Sequence, residues 1–453
     1  MGGGFLRTAQ SRFDAQTLGP PVAGQITLGQ GTFDRVPAGH VVEERFLSGT
    51  ASRYGAAAPL GADGRWTLIA AEDAEFTTRL VIVRPDVASQ FNGSVVVEWL
   101  NVSGGTDTAP DWTYLHRELV RGGYAYVGVS AQKGGLYEGA AALPGVLPAK
   151  IADPVRYDAL QHPGDAYAFD IFSHAGKAVR HGSGLMAGLE VQRVIAVGES
   201  QSAGFLTTYV NGIDPLVRIF DGFLVHSRFA GAVPLDGAYV AGGGPQDQGL
   251  ATMAVHIRSK VRVPVLTIIT ETDLMLPLRG YLAARQDDSG KVRTWEIAGT
   301  AHADSYILRG ALLDYPEAPP ESLAALYQPS SDLFGFPLDK PMNAAPSTIT
   351  SRRRRRPRWT DGSGPGRRPR RSHASERPTA AMALSCTSMK TAMRSAVSVR
   401  RGWTFPPRGC RGWVSRCRDS HSSSGRPRPS LPRNCNISIP GGKPIISPAS
   451  RRR

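Results

Sequence analysis

The sequence predicts an α/β protein, a mostly parallel sheet covered by helices on both faces, and three observations predict it. Short apolar runs rich in β-branched residues recur at 94–100, 124–130, 193–199, 220–225, 263–270 and 292–298, each too short for a helix. Nearly continuous apolar strands of this kind suit a sheet buried on both faces. Helical spacing of apolar residues fills several of the intervals, and strand, helix, strand at that spacing implies parallel pairing. The third observation is the stretch 193–205, where an apolar strand passes through Gly198-Glu199-Ser200-Gln201-Ser202 straight into Phe205, Leu206, Tyr209 and Val210 at helical spacing.

Residues 1–40 are rich in Gly, Pro and Gln with little periodicity and read as an irregular N-terminal arm. The segments 41–47 and 77–84 read as antiparallel strands at one sheet edge, the second alternating through Thr78, Leu80 and Ile82. The strand 94–100 ends in a small-residue loop, Asn101-Val-Ser-Gly-Gly105. Asp111 then reads as the N-cap of a helix that carries Trp112, Leu115, Leu119 and Val120 inward and stops at Gly122-Gly123. With the strand at 124–130 this completes a βαβ unit. Residues 133–165 form a Gly-, Ala- and Pro-rich excursion long enough to be functional. A helix is expected over 167–180, leading through Gly182-Ser-Gly184 to the strand at 193. After 220–225 the alternation is interrupted until the strand at 263, where Pro264 near the start is tolerable. Gly242 to Gly244 in that interruption read as a flexible loop, because no strand precedes them and no Gly-Lys-Ser/Thr follows.

A serine on so sharp a strand-to-helix turn needs small residues two positions either side, where the backbone passes close to itself. Gly198 and Ser202 meet that need. A serine hydroxyl is a weak nucleophile, so it needs a base within hydrogen-bond reach and a group that orients the base. The pentapeptide resembles the nucleophile elbow of the α/β-hydrolase superfamily, with Ser202 where glycine is usual. Together with Gly-Asp165-Ala-Tyr-Ala-Phe-Asp-Ile-Phe172, Asp-Gly-Phe-Leu-Val-His-Ser227, Thr-Glu-Thr-Asp273 and Ala-Gly-Thr-Ala-His-Ala-Asp304, it resembles a group of largely uncharacterised bacterial α/β-hydrolase-domain proteins over roughly residues 40–345.

The resemblance implies an α/β-hydrolase fold with catalytic residues in the chain order serine, acid, histidine, each just after a strand. Ser200 is then the nucleophile, and Asp273 the acid, in a turn similar to the family's G-x-x-D-x-x-V-P. His302, after the last strand, is the base. Glu271 and Glu199 are competing acids, and Glu199 also reads as a pocket residue beside the nucleophile. Taken singly, Asp273 reads equally as a turn former and His302 as a capping or core histidine. The implied oxyanion hole pairs the backbone NH of Gln201 with that of Val102 in the loop after 94–100. Insertions in the superfamily commonly cap the pocket, which makes 229–262 the candidate lid. The expected activity is serine hydrolysis of a small-molecule carboxylic ester through an acyl-enzyme, with thioester, lactone and amide left open. The rival is a non-catalytic hydrolase-fold scaffold or a polyanion-binding protein.

Composition separates this domain from the rest of the chain. From Pro346 onward 26 Lys and Arg face three acidic residues, Asp361, Glu376 and Asp419, a net of +23, which leaves 27 basic against 35 acidic and a net of −8 for the first 345 residues. The overall +15 is therefore no guide to the domain's partners. The four cysteines, at 386, 410, 417 and 435, all lie in the basic part, which excludes thiol catalysis and a disulfide framework from the domain. Cys410 and Cys417 lack zinc-site spacing, there is no His-Glu-x-x-His, and no cofactor motif occurs, so neither metal nor cofactor is expected. His116 and His226 read as structural. Asn92-Gly-Ser94 and Asn101-Val-Ser103 are sequons, but the chain starts without an apolar leader and holds no membrane-length apolar run. The expectation is a cytoplasmic protein with no membrane and no specific nucleic-acid partner; the sequence leaves oligomeric state unset. Past Asn343 the resemblance stops. Residues 346–453 are expected to be disordered, and their Arg, Pro, Ser and Gly bias matches GC-rich codons read out of register, as in a frameshift. The alternative is a genuine arm that binds polyanions by counterion release.

Overall fold

The structure is a computed structural model that describes residues 16–29, 33, 36–137, 147–181, 184–238, 253–275, 280–298, 300–304, 307, 321, 330–333 and 336–342. All of them belong to the first of the chain's two units, Met1–Trp403. The tail from 346, the Gly242–Gly244 run, the centre of the candidate lid (239–252) and part of the 133–165 excursion (138–146) lie outside the described residues.

Nine strands form one sheet in the order β1-β2-β3-β5-β4-β6-β7-β8-β9. These are β1 (Thr17–Pro21), β2 (His40–Ala56), β3 (Leu68–Pro85), β4 (Ser94–Trp99), β5 (Ala125–Val129), β6 (Arg193–Glu199), β7 (Gly222–His226), β8 (Val265–Thr270) and β9 (Val292–Ile297). The pairings from β1 through β3 to β5 are antiparallel, and those from β5 through β4, β6, β7 and β8 to β9 are parallel. A separate antiparallel pair is made by β10 (Ser330–Leu333) and β11 (Phe336–Met342). The arm expected to be irregular therefore carries a strand: β1 pairs with β2 from Thr17 opposite Ser48.

The apolar runs divide by parity. Along β4, Val95, Val97 and Trp99 enter one core, while Val96 enters the other. Helix α1 (Pro110–Arg121) covers the second face with Trp112, Leu115 and Leu119. Helices α2 (Ala168–His181) and α3 (Gln201–Thr208) cover the first with Phe169, Phe172, Phe205 and Leu206. Alternating side chains on a doubly covered sheet produce just such a run. Trp99 is the largest plug of the first core: it is fully buried, stacks on Phe205 at 4.8 Å, lies 4.7 Å from Phe172, and its Nε1 donates to Gln132 Oε1 at 3.2 Å. Trp99→Ala is expected to lower the unfolding free energy by about 3–5 kcal/mol. Urea unfolding followed by circular dichroism checks this, and an unmoved midpoint would mean that the aromatic cluster does not hold the core.

The N-terminus of α1 corrects the expected cap. The N-cap is Ala109, and Asp111 lies within the first turn. The capping acceptor comes from the neighbouring strand: Glu98 Oε1 accepts from Asp111 N at 2.8 Å and Oε2 from Trp112 N at 2.8 Å and from the Tyr126 hydroxyl at 2.7 Å. Burial, with the Asp111 carboxylate beside it, holds the Glu98 carboxyl well above the ordinary range. Gly122 and Gly123 end the helix as expected; Gly123 has φ 69°, and a Cβ there would fall 2.1 Å from Gln90 O.

The chain runs from β4 outward to β5 and then returns to β6 on the other side of β4. Strand order thus reverses between β4 and β6, and the crevice beyond the carboxyl ends of strands at such a switch point is where open α/β sheets place their sites.

Candidate active site

Ser200 stands between β6 and α3 with φ 59° and ψ −114°, a conformation that costs free energy for any residue with a Cβ. Two contacts hold it there. Ser200 N donates to His226 O at 2.9 Å, and Ser200 O accepts from Gly204 N at 3.2 Å. Gly198 is needed because an added Cβ would sit 3.1 Å from both Ser202 Cβ and Leu206 Cδ1. Ser202 is accommodated where glycine was usual, fully buried and with its hydroxyl unpartnered.

The turns after β8 and β9 bring the other two residues to the elbow. Ser200 Oγ lies 2.7 Å from His302 Nε2, and His302 Nδ1 lies 2.6 Å from Asp273 Oδ1. Asp273 is fully buried; its Oδ2 accepts from Thr270 N at 2.7 Å, which fixes the carboxylate plane. The backbone NH of His302 donates to Thr272 Oγ1 at 2.7 Å, and Phe229 stacks on the imidazole at 5.3 Å. The loop that carries Phe229 is stitched by the buried Arg228 guanidinium, which donates to Phe229 O at 3.0 Å, to Ala230 O at 3.1 Å and to Val255 O. Burial lowers the guanidinium to about 10.

Charge in the site is concentrated on His302. Burial works against its protonation, but the hydrogen bond it donates to Asp273 and the charges of Glu199 and Asp273 outweigh it and raise the imidazole to about 9. For Asp273 burial pulls upward and is overcome by the His302 and Thr270 hydrogen bonds, so its carboxyl is held below the ordinary value. Burial raises Glu199 to about 7, against the pull of His302 and His226.

The remaining expected residues fall in two places. Glu199 is in the site: its Oε1 lies 3.7 Å from His302 Nε2, and its Oε2 accepts from Asn101 Nδ2 at 3.3 Å. Glu271 is exposed at the start of the short helix Glu271–Met275, while the contact to His302 Nδ1 is made by Asp273. Gln201 follows Ser200 in the first turn of α3, and Val102 reaches Gln201 from the loop after β4. Val102 N donates to the side-chain Oε1 of Gln201 at 3.2 Å, so Gln201's own amide oxygen fills the position expected for a substrate oxygen at Val102. The Gln201 NH begins α3, where a helix leaves its NH groups without intrahelical acceptors. The loop itself is closed by paired bonds between Asn101 and Thr108, 2.9 and 2.8 Å, and anchored through Asp107 to buried Arg79 at 2.9 Å.

Several contributors had no local signal. Asn101, met in the sequence as part of a sequon, is buried and also donates to Glu199 O at 3.0 Å. His226, read as structural, accepts the Ser200 NH through its backbone oxygen and holds Asp111 Oδ1 at 3.0 Å through Nδ1. Thr272 lies inside the quoted Thr-Glu-Thr-Asp273 stretch, where nothing in the sequence marks its bond to His302, and Phe229 supports His302 from a loop that no motif marks. Among the described residues no group of three or more His, Cys, Asp or Glu could hold a metal ion, and no helix is long and apolar enough to cross a membrane.

The sequence matches the family described as "Alpha/beta hydrolase domain" over residues 14–374, and the chain belongs to that family. The match begins within the N-terminal arm and extends beyond residue 345. No curated protein matches the chain. Among solved structures, a putative dienelactone hydrolase from Klebsiella pneumoniae is similar at 15% identity over 62% of this chain and 95% of its own, with a TM-score of 0.29. Esterase Est22 is similar at 13% identity over 72% and 93%, TM-score 0.33. Brefeldin A esterase, described as a bacterial homologue of human hormone sensitive lipase, is similar at 15% identity over 66% and 77%, TM-score 0.34.

Proposed function

We propose that the protein is a serine hydrolase that cleaves small carboxylic esters through an acyl-enzyme on Ser200. The observation that carries the reading is the unbroken path from Ser200 Oγ through His302 to Asp273, two contacts of 2.7 and 2.6 Å. Ser200 Oγ bonds to the ester carbonyl carbon while its proton passes to His302 Nε2, and Asp273 holds the imidazole by Nδ1. The imidazolium then gives that proton to the departing alkoxide as the carbon–oxygen bond breaks. Water repeats the sequence against the acyl-enzyme, returning the proton through Nε2 to Ser200. The oxyanion takes the amides of Gln201 and Val102, with the Gln201 side chain yielding its place at Val102. Family membership over most of the chain and the placement of the site at the switch point support the reading. An ester is favoured over an amide because its leaving group needs less protonation. Within this reading the catalytic domain expected over 41–345 also takes in β1, and Phe229 forms a wall of the pocket beside His302.

Labelling by a fluorophosphonate, mapped to a residue by peptide mass spectrometry, tests the nucleophile, and hydrolysis of p-nitrophenyl butyrate across pH tests the base. An imidazolium cannot accept the serine proton. Because His302 is raised from 6.5 to about 9, the neutral, competent base accumulates only above the usual histidine range. kcat/KM is expected to climb with pH with a midpoint near 9. A folded protein that takes no label and cleaves no ester would return the chain to the scaffold or polyanion-binding reading.

A further inference from the structure

We propose that Glu199 is a positioning residue for the base, a second buried carboxylate that faces His302 on its Nε2 side and stabilises the imidazolium that Asp273 holds from Nδ1. The inference rests on the Ser200–His302–Asp273 reading and deepens it. Glu199 is 7% exposed, and its two oxygens have different tasks. Oε2 accepts from Asn101 Nδ2 at 3.3 Å, and Asn101 Oδ1 in turn accepts from Ser103 N at 2.8 Å, which ties the loop bearing Val102 to the elbow. Oε1 is turned to His302 Nε2 at 3.7 Å, the nitrogen that takes the proton from Ser200.

The amide contact alone does not call for a charge. Glutamine would accept from Asn101 as well, at far smaller desolvation cost, since burying a carboxylate is expensive unless a cation faces it. The titratable groups that face Glu199 are His302, His226, Asp111 and Asp273, and those that face His302 are Asp273 and Glu199. Of the two histidines, His226 turns its Nδ1 to Asp111 at 3.0 Å, whereas His302 presents its second nitrogen, Nε2, to Glu199 Oε1 at 3.7 Å, so the cation that Glu199 contacts is His302. The directions agree: burial pushes Glu199 up to about 7, and His302 reaches about 9 with Glu199 among the causes, so near pH 8 the two rest as a carboxylate and an imidazolium.

This arrangement has a kinetic signature. Glu199 favours protonated His302 both at rest and in the transition state. In the resting enzyme this delays appearance of the free base, and in the transition state it accelerates proton transfer. The two effects offset each other at low pH, and only the acceleration survives on the alkaline plateau. Glu199→Gln is therefore expected to move the kcat/KM midpoint down by about one unit and to lower the plateau by about tenfold, with a deficit that shrinks as pH falls. Glu199→Asp, which keeps the charge, is expected to restore the midpoint most of the way towards wild type.

The experiment is the pH profile of p-nitrophenyl butyrate hydrolysis for the full chain and both variants, with fluorophosphonate labelling of the wild type run first. An equal deficit at every pH with an unmoved midpoint would make Glu199 merely structural and overturn the inference while leaving the Ser200 reading intact. Folded wild type that takes no label at Ser200 overturns both. Should the variants not fold, nuclear magnetic resonance of the wild-type His302 ring decides. Two steps, near 7 and near 9, are expected, and a single step near the ordinary histidine value would overturn the proposal.

Discussion

Ser200→Ala is expected to lower kcat for p-nitrophenyl butyrate by about four to six orders of magnitude without altering the melting temperature. The fold should tolerate the change because alanine keeps the Cβ, and with it the same cost of holding φ 59°. Removing Oγ costs the 2.7 Å contact to His302 Nε2, but Glu199 Oε1 still faces that nitrogen and Asp273 still orients the ring. Two hydroxyls of the described residues near the site are held away from the reaction. Ser202 Oγ is fully buried inside the turn, and Thr272 Oγ1 is engaged by the His302 NH. What survives is electrostatic stabilisation by the two backbone amides, typically a small residue of the whole. Rates on purified, folded variant check this; retention of even one part in a hundred of the activity would place the nucleophile elsewhere.

How much of this could be read from the sequence depended on whether the cause was local. The strands β4 to β9 were legible because double burial leaves an apolar run, and Ser200, Asp273 and His302 because each sits in a motif at a strand end. The two long strands were seen only in part: 41–47 and 77–84 were expected, whereas β2 spans His40–Ala56 and β3 spans Leu68–Pro85. Their outer halves pair with each other, and although Ala51, Tyr54 and Leu68 reach the first core, Ala70 to Asp73 are exposed, so no sustained apolar alternation marks them. The edge strand β1, with the sequence Thr-Leu-Gly-Pro-Pro, has little strand propensity and is specified by its partner β2. The cap of α1 was misread because its acceptor, Glu98, comes from another element. The same holds at the site. Asn101, Phe229 and the side chain of Gln201 take their roles from residues about 70 to 100 positions away, and one chain offers no signal for such pairs.

Asp273→Asn is expected to lower kcat by about 10⁴-fold near neutral pH with Ser200 still in place, and the reason lies in one backbone amide. Asp273 Oδ2 accepts from Thr270 N at 2.7 Å, and Oδ1 accepts from His302 Nδ1 at 2.6 Å. An asparagine in the same pose has one oxygen and one NH₂. Thr270 N can only donate, so the oxygen turns to it, and the NH₂ is left facing His302 Nδ1. That nitrogen must then act as the acceptor, which moves the ring proton of the neutral imidazole to Nε2. A protonated Nε2 donates to Ser200 Oγ and cannot receive its proton, so the base is lost although every heavy atom stays in place. The imidazolium also loses its main partner, which lowers the titration of His302 from about 9. Two readouts separate this from simple damage: the pH profile should shift to the acid side, and the two-dimensional nitrogen spectrum of the ring should show the proton on Nε2. A variant that keeps its proton on Nδ1 and its activity within tenfold of wild type would mean that the Asp273 carboxylate does not set the tautomer of His302, and would remove Asp273 from the catalytic set.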